Sequence, residues 1–187
     1  MSLFKRFIGH FKTITRHRHK VIVHCAKAGI FWQGLRHDLS KYSLTEFIPG
    51  VKYYTGTKSP NEGERAAVGY SVAWLHHKGR NKHHYEYWVD YNIVTKQTEP
   101  VAMPYRYVVE MFCDRVAASK IYNKENYRDN SSLEYYNQKA ANRKIHEQTK
   151  EELEIMLYML AEKGEEETFR YIKNEIRRRK SRKEVVK

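Results

Sequence analysis

Residues 149–164 read TKEELEIMLYMLAEKG, and this stretch carries the signals of one whole helix. Thr149 and Glu152 have the spacing of a capping box, in which each side chain satisfies a free amide at the helix start. Leu153, Met156, Leu157 and Leu160 follow at steps of three and four, which stacks them on one face. Gly164 stands where a C-cap turns into the left-handed region. The reading is a helix over 150–163, followed by a second over 165–182.

The same signals recur toward the N-terminus. Ser43 with Glu46, and Ser59 with Glu62, have capping-box spacing, and Pro60 sits where a missing amide costs nothing. Helices are predicted over 30–42, 43–50, 60–77, 83–91, 104–121 and 132–142. Phe4, Phe7, Ile8, Phe11 and Ile14 repeat at helical spacing, and the stripe continues through Val21 and Ala28. KGRNK (78–82) joins two helices, and NIVTKQTEPVAMP (92–104) reads as an irregular connection or a small hairpin. There is no internal repeat. The expected class is all-α: a helical bundle with an additional C-terminal helical pair.

Composition bounds the function. At 187 residues with 41% hydrophobic and 13% aromatic residues, the chain has material for one core and is not disordered. Mean hydropathy is −0.82, and no apolar run reaches the ~20 residues of a membrane span. The basic start MSLFKRFIGHFK lacks the apolar stretch and cleavage site of a signal peptide. A basic amphipathic helix of this kind either lies on an anionic membrane or packs against its own domain, and the second is expected. Cys25 and Cys113 do not make a disulfide framework, so a reduced, cytoplasmic setting is expected.

The net charge of +13 is unevenly spread. Residues 1–36 hold eight Lys/Arg and no acid, 37–169 hold eighteen bases and twenty acids, and 170–187 hold nine bases against Glu175 and Glu184. A uniformly basic nucleic-acid binder is thereby excluded. The organisation expected is one helical domain over 1–169 and a basic tail over 170–187, with RRRKSRK (177–183) a solvated helix end.

The chemistry concentrates in three clusters. His24 precedes HDLSK, with His37, Asp38 and Lys41; AWLHHKGRNKHHYEYW (73–88) holds His76, His77, His83 and His84; EMFCDR (110–115) holds Glu110 and Asp114. Imidazole with carboxylate suits Mn, Fe, Co, Ni or Zn in a hydrolytic site, and the absence of C-x-x-C argues against structural zinc. On a helix, His37 and Asp38 point about 100° apart and admit one ion between them, with Lys41 one turn on to meet a phosphate. Glu110 and Asp114 share a face at i, i+4. His77 and His84 bracket Lys78, Arg80, Asn81 and Lys82, which set cations beside a bound anion.

Each feature also has a plain reading. A lone His-Asp dipeptide is usually a surface pair, and the doublets are helix-capping histidines of a polar loop. Asp114 pairs with Arg115 or Lys120 in that reading, although Met111, Val116 and Ala117 imply a buried helix in which a carboxylate needs a partner. His10, His17, His19 and His146 receive no role, and Cys113 reads as a small core residue. Of the aromatics Tyr42, Tyr70, Trp74, Tyr85, Tyr87 and Trp88, most are expected in the core. Tyr42 and Tyr85 are the candidates to stack on a nucleobase.

The order His…His-Asp…His…His…Asp, with HDLSK and a late CDR on a helix, resembles the HD-domain superfamily of metal-dependent phosphohydrolases over roughly residues 17–121. That resemblance implies an all-helical fold and one or two divalent ions (Mn, Fe, Co, Ni, Mg or Zn). The implied substrate is a phosphate ester such as a nucleotide or cyclic nucleotide. It implies His24 as first ligand, His37 and Asp38 as paired ligands and Asp114 as closing carboxylate. His77 and His84, or their neighbours His76 and His83, serve a second ion. Lys41, Arg80 and Asn81 then stabilise charge building on phosphate, while Lys78, Tyr42 and Tyr85 contact substrate. The chain also looks similar to a bacterial and phage family that shares HDLSK and HHKGRNKHH and has no established activity. Two other classes stay open: a nucleic-acid binder or nuclease using the basic ends, and a non-catalytic HD-like module. A His-Asn-His nuclease would build its site on a hairpin and helix, whereas AWLHHKGRNKHHYEYW reads as helix-loop-helix. Exposed aromatics make a homo-oligomer a further expectation.

Overall fold

Helix α1 (Leu3–Lys27) starts where the Ser2 hydroxyl accepts from the Lys5 amide at 3.4 Å. The structure, a computed structural model, describes residues 1–138 and 143–185. Short α2 (Phe31–Gly34) follows, then a 3₁₀ turn over Leu39–Tyr42, α3 (Leu44–Lys52), α4 (Pro60–Val68) and α5 (Val72–Arg80). A 3₁₀ turn over Tyr85–Tyr87 leads into β1 (Val89–Asn92), which pairs antiparallel with β2 (Gln97–Pro100), Val89 opposite Pro100. Helices α6 (Tyr105–Asn123), α7 (Ser131–Gln138) and α8 (Glu147–Val185) complete an all-α fold. None of the described helices is long and apolar enough to cross a membrane.

α6 is the central helix. It packs on both α1 and α8, burying Val108, Val109, Phe112, Cys113, Val116 and Ala117. Leu153, Met156, Leu157 and Leu160 meet it as the stripe predicted. Side chains of this size each stabilise the fold by about 1.5–3 kcal/mol when fully buried. Phe169, Ile172 and Ile176 belong to the same core, so packing continues past residue 170, where a tail was expected to begin. α3, α4 and α5 stack on the other side of α1, and the polar centre lies between these two groups.

Several boundaries differ from expectation, each for a local reason. The helix read over 30–42 stops at Gly34, because Asp38 takes left-handed dihedrals, φ 52° and ψ 26°, before the 3₁₀ turn. The helix read over 60–77 is two helices, broken at Gly69 (φ 87°), a conformation glycine adopts without a Cβ penalty. Ser71 caps the second by accepting from the Trp74 amide at 3.0 Å. The stretch 83–91 is a 3₁₀ turn and a strand, and the hairpin alternative for 92–104 is the one adopted. α8 runs from Glu147 but is broken at Gly164 (φ 76°, ψ 177°), the C-cap position read from sequence. The expected helix 132–142 is seen as Ser131–Gln138; residues 139–142, like 186–187 of the tail, lie outside the described residues.

The capping boxes do not form as such. Ser43 and Ser59 precede their helices in extended conformation without a side-chain cap bond. Thr149 lies inside α8 and its hydroxyl accepts from the Met103 amide at 2.9 Å. Glu152 accepts from Arg179 at 2.8 Å, and Glu46 is drawn into the polar centre.

Candidate metal centre

Five elements deliver polar side chains to one buried volume: α1 gives His17, the turn before Leu39 gives His37 and Asp38, α3 gives Glu46, the α5 end and following loop give His77, His83 and His84, and α6 gives Glu110 and Asp114. Asp38 is the hub. Its Oδ2 lies 3.1 Å from His37 Nε2 and 2.6 Å from Lys41 Nζ, and its Oδ1 lies 3.3 Å from His77 Nε2 and 3.5 Å from His83 Nε2. The positive φ at Asp38 is unusual for a non-glycine residue, and such strain persists only where surroundings hold it. Arg18 supplies that hold: its guanidinium donates to the His37 carbonyl at 3.2 Å and to the Leu35 carbonyl. His37 and Asp38 are therefore not consecutive positions of a helix, and Lys41 pairs with Asp38 across the turn.

Two carboxylates sit behind the imidazoles and fix their orientation. Glu110 Oε1 accepts from His37 Nδ1 at 2.9 Å and faces His83 Nδ1 at 3.3 Å, while Gln33 donates to the other oxygen. Glu46 accepts from His77 Nδ1 at 2.8 Å and His76 Nδ1 at 2.6 Å. With Nδ1 of His37 and His77 bonded to these carboxylates, the Nε2 atoms of His37, His77 and His83 face Asp38. Such carboxylate–histidine pairs set tautomer and raise ligand basicity in metal sites. Asn81 joins this layer, donating to the Ser40 hydroxyl and the His77 carbonyl, each at 2.8 Å.

Donor groups cluster in three sets whose ligand atoms lie within 4.8 Å of one another. The first is His17, His37, Asp38 and Asp114; the second is Asp38, His77, His83 and His84; a third joins His37, His83 and Glu110. In the first, His17 Nε2 is 2.9 Å from Asp114 Oδ1 and His37 Nε2 is 3.4 Å from the same oxygen. Donors about 2.0–2.2 Å from one ion lie about 3–4 Å apart, so these separations admit a cation. The buried atoms His37 Nε2, Asp38 Oδ1 and Oδ2, His83 Nε2 and His84 Nε2 find no hydrogen-bond partner among the described residues. Buried polar groups are ordinarily paired, and these atoms, with Asp38 Oδ2 held by its ion pair to Lys41, leave room for an ion among them.

Charge agrees with that. Burial raises the cost of ionising Asp38 and Asp114, yet His37, Lys41 and His77 around the first, and His17 and His37 around the second, hold both well below the usual carboxylate range. Glu110 is treated likewise: burial is outweighed by hydrogen bonds from His37 and His83, bringing it down to about 2. Burial also opposes a charged His37, but Asp38, Asp114 and Glu110 lift it well above the ordinary imidazole value. His17 is lowered by burial, and His84 by burial and then by His83 and His77. The carboxylates thus call for cations: His37 is held charged beside them, while His17 and His84 are held neutral.

The expected residues divide clearly. His37, Asp38, Asp114, His77 and His84 lie in the donor sets, and His83 joins them, so both histidines of that doublet take part. His24 does not join them. It is two turns along α1, stacked on Phe169 at 5.4 Å, with Nδ1 donating to the Cys113 carbonyl at 3.4 Å. His17, given no role from sequence, takes the place expected for it. Lys41 borders the cluster, Asn81 holds His77, Arg80 is exposed and Lys78 half-buried at the end of α5. The Tyr42 hydroxyl bonds the Thr15 hydroxyl at 3.0 Å, and Tyr85 packs against the hydrophobic core. Glu46, Arg18 and Gln33 carried no sequence signal for this site.

The model of a family described as "Family of unknown function (DUF5662)" matches residues 6–159. No curated protein and no solved structure matches the chain.

Proposed function

The chain belongs to the DUF5662 family, and from its site we propose that it is a metal-dependent phosphohydrolase. One observation carries the proposal: two sets of His and Asp donors share Asp38, with ring nitrogens facing the shared carboxylate and Lys41 at its side. His17, His37, Asp38 and Asp114 would hold one ion, and Asp38, His77, His83 and His84 a second. A divalent ion of the Mn, Fe, Co, Ni or Zn type lowers the pKa of a bound water and polarises phosphoryl oxygens.

The chain's own groups supply the rest. Glu110 and Glu46 keep Nδ1 protonated on His37 and His77 and so keep Nε2 free to ligate. Lys41 and Asp114 are partly open, with side chains 30% and 20% exposed, and they mark the side from which substrate enters. Burial opposes the Lys41 ammonium, but Asp38 and Asp114 outweigh it and keep it charged. A fixed cation there meets a phosphate and offsets the negative charge that grows on it during attack by water. Hydrolysis adds water to phosphorus and breaks the ester P–O bond, releasing alcohol and phosphate. Tyr42, next to Lys41, is the aromatic that a nucleotide base would meet.

The test uses protein loaded with each metal in turn and assayed on p-nitrophenyl phosphate, nucleotides, cyclic dinucleotides and nucleic acid. Phosphate ester cleavage that disappears in His37→Ala/Asp38→Ala is expected. Full activity in that double variant would overturn the site, and failure of every metal on every ester would overturn the reaction class.

A further inference from the structure

The first half of α1 carries apolar side chains that the core does not cover. Leu3, Phe4, Phe7 and Phe11 share one face and are exposed, Phe4 to 74%. Across from them, Leu39, Leu44 and Ile48 are also exposed, Leu44 to 74%. The two rows meet: the Phe7 and Phe47 rings are 5.3 Å apart edge-on, and Phe11 and Tyr42 are 6.1 Å apart. The result is one continuous apolar surface along the α1–α3 edge. Soluble surfaces seldom leave aromatic rows of this kind open to water.

The charge on this part of the molecule is of one sign. Residues 1–52 contain ten Lys/Arg and two acids, and both acids, Asp38 and Glu46, are buried in the polar centre. Every charged side chain that residues 1–52 offer to solvent, Lys5 and Lys12 among them, is therefore a cation. From this apolar row and the cations that residues 1–52 set beside it, we propose that the α1–α3 edge docks on an anionic lipid bilayer. The rings and leucines enter the interface, and the cations meet the headgroups.

The charge pattern separates this occupant from two others. A second copy docked through the same face would set two purely cationic surfaces together, and such like-charge contacts oppose assembly. A nucleic acid would use the cations but gives no reason for three exposed phenylalanines and four exposed aliphatic side chains. Docking in this way also places Lys41, in the same turn as Leu39 and Tyr42, beside the membrane surface.

Co-sedimentation of the full chain with vesicles is the direct experiment, using phosphatidylcholine alone and phosphatidylcholine mixed with phosphatidylglycerol. Partitioning at least about tenfold stronger into the anionic vesicles, weakened by salt, is expected. Leu3→Ser/Phe4→Ser and Lys5→Glu/Lys12→Glu alter exposed positions, and each pair is expected to lower that partitioning about tenfold or more with unchanged circular dichroism. The proposal is overturned if the wild type ignores anionic vesicles, or if it binds neutral ones equally well. It is also overturned if Leu3→Ser/Phe4→Ser has no effect on partitioning. A wild-type dimer that this variant converts to monomer, without vesicle binding, would assign the surface to a second copy instead.

Discussion

His17 and His24 stand two turns apart on one buried face of α1, and they serve different regions of the molecule. His17 faces Asp114 and Asp38, beside atoms that have no hydrogen-bond partner among the described residues. His24 faces the Cys113 carbonyl, the Phe169 ring and, at 3.5 Å, the Lys120 ammonium. Both are almost fully buried, so burial does not distinguish them. The partners do. Next to carboxylates with spare lone pairs, a neutral imidazole is a second donor for a cation. Between a carbonyl, a ring and an ammonium, its two nitrogens are already used, one donating and one accepting. A polar centre and a hydrophobic core thus use the same residue type for ion pairing in one place and for packing in the other.

The largest effect is expected where the polar centre has its hub. Asp38→Asn keeps shape but removes the shared charge, so both donor sets lose an anionic ligand together. Metal content by inductively coupled plasma mass spectrometry is expected to fall to background, with any phosphohydrolase activity down about 10³-fold or more. Retained metal would break the view of Asp38 as common to two sites. His17→Ala and His24→Ala then divide the comparison itself. His17→Ala is expected to weaken metal binding about 100-fold. His24→Ala is expected to keep the metal and lose about 2–4 kcal/mol of stability from a buried cavity and an unpaired carbonyl. The reverse pattern would exchange their roles.

These outcomes bear on how far the sequence could be read. Helical periodicity was legible because the apolar faces are wide, as with Leu153 to Leu160 against α6. The adjacent His37 and Asp38 were legible as residue types but not as geometry: the left-handed turn at Asp38 is fixed by Arg18, a tertiary contact without local signature. His10, His17 and His24 repeat at seven residues, so periodicity puts all three on one face and cannot tell which meets Asp114. That depends on how α1 slides along α6. Glu46 had the spacing of a capping residue, and tertiary demand from His76 and His77 outweighed a cap worth about 1 kcal/mol. The Gly69 break was missed because a helix stripe can run across a glycine on paper.

A smaller effect probes the support behind the ligands. Glu110→Gln and Glu46→Gln leave every metal donor named above in the two principal sets intact but replace the acceptors that orient His37 and His77. Losses of about 10–100-fold in metal affinity are expected, measured by competition with a chelator. In the core region no such layer is needed, so Lys120→Met beside His24 is expected to leave metal affinity unchanged. Equal losses from Lys120→Met would mean that the two regions are not separable.

The smallest expected effect is the core histidine's own share of the pH dependence. Burial, and then the Lys120 cation, lower the His24 pKa from 6.5 to about 4, with Glu165 opposing and Lys27 assisting. In the unfolded chain His24 titrates near 6.5, so below that pH the unfolded state binds a proton that the folded state refuses. Stability is therefore constant with respect to this group above pH 6.5 and falls as pH drops toward 4, by about 1 kcal/mol at pH 5.5. Carboxylates complicate denaturation only at lower pH, which leaves a window from 6.5 to about 5. Guanidinium unfolding of wild type and His24→Leu, at pH 7.5 and 5.5 and with metal-binding residues unchanged, isolates the contribution as a difference. The wild type is expected to lose about 1 kcal/mol more than the variant on acidification. Equal losses would show that His24 is protonated in the fold, and the core would then hold a charged histidine as the polar centre does.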